Sequence, residues 1–258
     1  MRAQIFINRF GTTQAATGKR PPYGGIVAHR SNRFFSIILD DMATIPALIN
    51  LIRTLRAVES DIILNGASTK PLTRQQMCLL LARRALSMIE KQNEDMFMSD
   101  MEIFNPRIST IDVLPENLTR LLQLDFGGLD APSALMLASS AKIKNLVSVG
   151  QSQSMRLYYL ALPADITWPQ EPPPLSKPLE EALSDPLCTW LSITYEAALA
   201  IRAPIYQHGI LRLNAELRLP FQRVLNPIIP KNERPAHFRV LTSAYAIGEE
   251  GQDSAVII

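Results

Sequence analysis

From Asp185 to Ile247 the chain carries one well-punctuated helix and then three strand-length apolar runs, an order that leaves few architectures open. Asp185-Pro186 supplies an N-cap residue followed by proline at the first helical position. Leu187, Trp190, Leu191, Thr194, Tyr195 and Ala198 then recur on one side, and Ala203-Pro204 stops the helix because a residue before proline avoids the α region. Residues 205–214, 217–229 and 237–247 follow as strand candidates, and the tail from Gly248 reads as loose. Upstream, 145–149 and 155–162 read as two strands around the polar turn Gly150-Gln151-Ser152-Gln153-Ser154, with Tyr158, Leu160 and Leu162 alternating on one face. Five strands and an intervening helix predict a five-stranded antiparallel sheet with helices on one face, within an α+β chain.

The proline-rich stretch 163–178, with Pro172-Pro173-Pro174, reads as a stiff extended connector in preference to an SH3-type ligand. Nearer the N-terminus, 4–10 and 33–39 are strand candidates separated by a polar, glycine-rich loop over 11–25. Ile45, Leu48, Ile49, Ile52 and Leu55 predict a helix running to Val58, with Asp40-Asp41 at its start complementing the helix dipole. Thr73-Arg74-Gln75-Gln76 fits a capping box, after which Met77, Leu80, Leu81, Ala85 and Met88 share a face. The chain turns polar over 93–104, and Pro115 and Pro132 open short helices over 116–124 and 133–142. These signals predict a mainly helical N-terminal region over residues 1–100, with an α/β alternative, and a sheet domain over 101–258.

Hydrophobic residues make up 47% of the 258-residue chain and charged residues 19%, which supplies a core and excludes wholesale disorder. The net charge of +2, from 26 Lys and Arg against 24 Asp and Glu, argues against nucleic acid or an anionic membrane as the partner of the whole chain. The first acidic residue is Asp40, after Arg2, Arg9, Lys19, Arg20, Arg30 and Arg33. With Arg53, Arg56, Arg83 and Arg84 this segment is the alternative nucleic-acid or membrane-surface binder; its scattered charges favour a solvated segment. Cys78 and Cys188 sit in apolar helical patterns and read as small buried hydrophobes. The chain lacks a transmembrane-length apolar run and a secretory leader, so a cytoplasmic protein is expected.

The segments YEAALAIRAP (195–204) and FQRVLNPI (221–228), joined by the strand starting at Ile205, resemble the PAS-like sensor domains of bacterial signalling proteins. The resemblance spans roughly residues 144–247 and implies a PAS-like sheet in the C-terminal half. It implies that Trp190, Tyr195 and Phe221 line a ligand cavity, against the plainer reading of core packing. Arg223 alternates with Leu219, Phe221 and Leu225 on one strand face. Facing inward it requires a carboxylate partner or an anionic ligand; at a sheet edge it reaches solvent.

Catalytic signatures are faint. Gly150-Gln151-Ser152 approaches a nucleophile elbow and makes Ser152 the candidate of a hydrolase alternative, although serine replaces the second glycine. His29, His208 and His237 lack metal-ligand spacing, phosphate-binding loops are missing, and the sequence specifies no cofactor. The leading expectation is a non-enzymatic sensory or regulatory module binding a small ligand or a protein partner. Two copies could pair through the helical region, and the Met77 to Met88 helix face could dock a partner.

Overall fold

The computed structural model describes residues 3–15, 21, 23–31, 34–65, 70–93, 97–103, 114–163, 174–175, 177–212, 218–231, 238–246 and 254–256. They divide into two compact units, Met1–Ile89 and Glu90–Ile258.

The first unit is built on a sheet. Strands β1 (Ala3–Ile7), β2 (Thr13–Ala15), β3 (Ile26–Arg30), β4 (Phe34–Leu39) and β5 (Asp61–Leu64) lie in the order β2-β1-β3-β4-β5. Pairing is antiparallel except between β4 and β5, which are parallel and joined across helix α1 (Ile45–Leu55). This corrects the expectation of a mainly helical N-terminal region. IVAHR and DIIL are too short to display an alternating pattern, yet Ile26, Val27, Ala28 and Ile62 are buried. Asp40-Asp41 also plays a different part: α1 starts at Ile45 with Thr44 as N-cap, and its first turn holds no acid. The Asp40 carboxylate instead accepts the Met42 amide at 2.8 Å, a local turn four residues too early for the helix. Helix α2 (Arg74–Gln92) begins in this unit with the anticipated capping box, the Gln76 amide donating to Thr73 and the Thr73 amide to Gln76.

The second unit holds a seven-stranded antiparallel sheet in place of the expected five-stranded PAS-like one. Its strands are β6 (Phe97–Ile103), β7 (Val147–Gln151), β8 (Leu157–Ala161), β9 (Ile205–Arg212), β10 (Arg218–Ile228), β11 (Arg239–Ala246) and β12 (Ser254–Val256). They run β6-β9-β10-β11-β7-β8, with β12 paired to the end of β11. The two strands beyond the expected five come from the polar stretch after α2 and from the tail, where sequence reading anticipated a boundary and loose chain. On β8 the buried face is Leu157 and Tyr159, opposite to the Tyr158–Leu160 face that alternation suggested.

Helices cover both faces. Helix α3 (Glu116–Gln123), helix α4 (Ala131–Ser140) and the turn between them bury Leu118 and Leu121, Ala138, and Phe126 against Val224, Ile228 and Leu241. On the opposite face lies α6 (Asp185–Ile201), preceded by the one-turn helix α5 (Leu179–Ala182). Coverage on both sides explains why β10 is buried from Phe221 to Ile228 without the alternation of a half-exposed strand. Helix α4 leaves Leu135, Met136 and Leu137 exposed. Among the described residues no helix is long and apolar enough to cross a membrane.

Candidate functional site

Arg223 stands at the centre of a buried polar cluster in the second unit. Its inward position on β10 follows from strand alternation, and it is fully buried beneath α6. Its Nε donates to Gln207 Oε1 at 2.7 Å and a terminal nitrogen donates to Thr194 Oγ1 at 2.7 Å. The guanidinium lies 4.7 Å from the Trp190 ring centre and 5.6 Å from that of Tyr195, to whose hydroxyl it also hydrogen-bonds. Burial pushes the guanidinium below the ordinary arginine range, partly offset by Tyr195 and Tyr159. Burial likewise raises both tyrosine hydroxyls, so they stay neutral.

A line of hydrogen bonds runs outward from this cluster. Gln207 Nε2 and Trp190 Nε1 both donate to Ser99 Oγ, at 3.1 and 3.3 Å. Ser99 donates its hydroxyl and its amide to the same Glu90 oxygen at 2.9 Å. Burial raises the Glu90 carboxyl above its ordinary value, against the two bonds from Ser99. Separately, Gln151 Nε2 on β7 donates to the buried Glu196 of α6 at 3.0 Å.

The open space lies elsewhere in the unit. β9 begins at Ile205, opposite Leu225, while β10 runs on to Ile228 with only β11 beside it. The vacated flank is closed by the turn after α3 and by the connection from α6 to β9, leaving a cavity of about 630 Å³. Asn226 anchors the roof, its amide donating to the Leu121 and Leu124 carbonyls at 2.9 Å and satisfying the end of α3. Leu122, Leu124, Phe126, Pro204, Pro227 and Ile229 give apolar walls. Arg202, Lys231 and Asp125 bring charge to the lining.

Trp190, Tyr195, Phe221 and Arg223 are thus brought together, Trp190 and Phe221 meeting edge to face at 5.7 Å. All four are core residues, and none lines the cavity. Ser152 occupies the β7–β8 hairpin turn, where its hydroxyl meets Ser154 Oγ and the Arg156 amide. His208 is exposed and stacks on Tyr206; His237 lies outside the described residues. Arg2, Lys19, Arg20 and Arg33 also lie outside them; Arg56 is buried and Arg84 donates to the Asp41 carbonyl at 2.8 Å. On α2, Met77, Leu81 and Ala85 are buried and Leu80 is exposed. Sequence reasoning missed Gln207, whose inward register with Ile205 and Leu211 was a usable signal. It also missed Glu90 and Ser99, for which the sequence offered none, and gave Arg202 no site role, although Arg202-Ala203-Pro204 stands where the PAS-like pattern prefers glycine.

Comparison with known proteins returns no match for this chain: no family model, no curated protein and no solved structure.

Proposed function

We propose that this chain is a non-enzymatic sensory or regulatory module whose Glu90–Ile258 unit binds a small molecule. The observation that carries this reading is the cavity at the end of β10, about 630 Å³ with apolar walls and a few charged groups. Sites for small ligands have this size and this mixture, many apolar contacts and few polar ones that fix orientation. The Arg223 cluster supports a scaffold role, because its donors are turned to neighbouring side chains rather than to the cavity. The PAS-like resemblance of residues 195–228 is consistent with ligand sensing and remains part of the proposal.

Native mass spectrometry of the purified chain, followed by denaturing analysis of whatever it carries, tests the reading. A stoichiometric small molecule is expected, and Ala203→Trp, which puts an indole into the cavity lining, is expected to displace it. A ligand retained at full occupancy in Ala203→Trp would move the site away from this cavity and overturn the reading.

A further inference from the structure

We propose that the outer face of α4 docks a second copy of this chain, the two helices lying antiparallel about a two-fold axis at Met136.

The helix is packed with its small residues inward. Ala134 and Ala138 join the core with Val224, Ile228 and Leu241, while Leu135, Met136 and Leu137 are exposed, Met136 to 71%. A helix with only its own core to satisfy turns leucine inward and alanine outward. Alanines on the inner face bring α4 close to its unit and put its large apolar side chains on the surface, as an interaction site does.

The symmetry of the helix indicates what covers them. Outward from Met136 in both directions, Leu135 matches Leu137, Ala134 matches Ala138, Ser133 matches Ser139 and Ala131 matches Ala141; Pro132 and Ser140 differ. Exposure follows the same mirror, with 132, 133, 135, 136, 137, 139 and 140 exposed and 134 and 138 buried. In an antiparallel pair with its axis at Met136, each position meets its mirror position on the second copy, as an isologous contact requires. Met136 then meets itself, and Leu135 packs on Leu137 of the second copy.

The charges fix the direction. No charged residue occurs from Ala131 to Ala141; Asp130 stands six positions before Met136 and Lys142 six after it. Asp130 is exposed and caps the helix through Oδ1, which accepts the Ser133 amide at 2.9 Å. Lys142 is exposed and forms no ion pair among the described residues. Antiparallel pairing sets each Asp130 opposite Lys142 of the other copy and opposes the two helix dipoles, whereas parallel pairing stacks like charge on like. Lys142 also has φ 56°, in the Schellman turn that ends α4, its amide on the Ser139 carbonyl at 2.9 Å and the Ile143 amide on that of Ala138 at 3.0 Å. Glycine is the usual residue there, so the backbone does not account for a lysine at this position. One helix per copy covers less than the ~800 Å² per partner of a standard interface, which makes the pair weak, half-associated at about 0.1 mM.

Sedimentation equilibrium of the full chain from about 10 µM to about 1 mM is expected to show monomer and dimer in exchange. Met136→Glu puts two carboxylates together on the axis and is expected to weaken the dimer more than about ten-fold. Lys142→Asp sets acid against acid at both ends and is expected to weaken it about ten-fold. Both side chains are exposed, so the thermal midpoints should stay near that of the wild type. Met136→Cys is expected to cross-link to itself under a mild oxidant, as a residue on a two-fold axis does, whereas Leu160→Cys, exposed on β8, is not. A chain that stays monomeric at about 1 mM, or a dimer that Met136→Glu leaves intact, overturns the proposal. Loss in Met136→Glu with none in Lys142→Asp overturns the antiparallel register. Binding of a monomeric chain to phosphatidylglycerol-containing vesicles, abolished by Met136→Glu, would assign the face to a lipid surface and overturn the second copy as its occupant.

Discussion

The Arg223 guanidinium lies 4.7 Å from the Trp190 ring centre, a fully buried cation placed against a fully buried indole. Its shape matters as much as its charge. The planar group engages two aromatic rings and still sends separate donors to Gln207 and Thr194. Arg223→Lys keeps the charge and loses the plane and the fixed fork, so a buried cation is left poorly satisfied. Denaturant unfolding is expected to show a loss of about 2–4 kcal/mol. A loss under about 0.5 kcal/mol, the range of ordinary surface changes, would mean the cluster does not order the core.

Glu90 gives the second prediction, on pH. Burial holds its carboxyl above the ordinary 4.5; Asp100 adds to the rise and the Ser99 bonds oppose it. The native state thus binds this proton more tightly than the unfolded chain does. The resulting stability is complete below the ordinary glutamate value and is lost as pH rises through the raised one. Glu90→Gln removes the titration and keeps an acceptor for Ser99. The thermal midpoint of the wild type minus that of Glu90→Gln is therefore expected to fall as pH rises from below the ordinary glutamate value through the raised one. A difference that is flat or rises with pH would contradict the burial argument.

What the sequence made legible was local punctuation. The Thr73/Gln76 capping box, Asp185-Pro186 and Ala203-Pro204 each act within a few residues, and α2 and α6 begin and end close to where they predict. Position 202 shows the limit: the stop was readable, but the left-handed arginine that makes it was not. Strands failed where their stability comes from distant partners. β6 pairs with β9 about a hundred residues away, and its mixed sequence, FMSDMEI, opens on two apolar and two polar residues that break the alternation of a half-buried strand. Periodicity put Trp190 with Tyr195 on one side of a helix and Phe221 with Arg223 on one strand face, but it left open whether Arg223 turns inward or reaches solvent, which is decided by α6 covering that face of β10. The cavity could not be read, because it arises where β10 outruns β9, a difference between two strand ends that only register reveals.

Cys78 offers a chemical reporter. Burial pushes its thiol up to about 12, with Arg74 and Arg56 offsetting part of the effect. Thiolate is the reactive form, so at neutral pH the native side chain is doubly protected, by protonation and by lack of access. Cys188 is also raised by burial, but Ser192 hydrogen-bonds to it and it retains slight exposure. Iodoacetamide labelling read by peptide mass spectrometry is expected to modify Cys188 before Cys78. Labelling of Cys78 should become rapid only in denaturant, and prompt labelling of the native protein would refute its placement.

Gly209 tests how β6 is held to the rest of its sheet. A Cβ at Gly209 would fall inside the contact radius of the Met98 carbonyl oxygen and 2.7 Å from Ser99 Cα. Those are backbone atoms, which no rotamer change can move aside. Gly209→Ala must push β6 off β9 and carry Ser99 away from Trp190 and Gln207. Gly150 makes the comparison, since its added Cβ meets the end of a leucine side chain, Leu160, which can turn away. Gly150→Ala is expected to cost about 1 kcal/mol and Gly209→Ala more than about 3 kcal/mol. Amide exchange should then quicken along β6 in the second variant alone. Equal and small losses in both would mean that β6 does not approach β9 as closely as this glycine implies, and the Glu90–Ser99 line would lose its anchor.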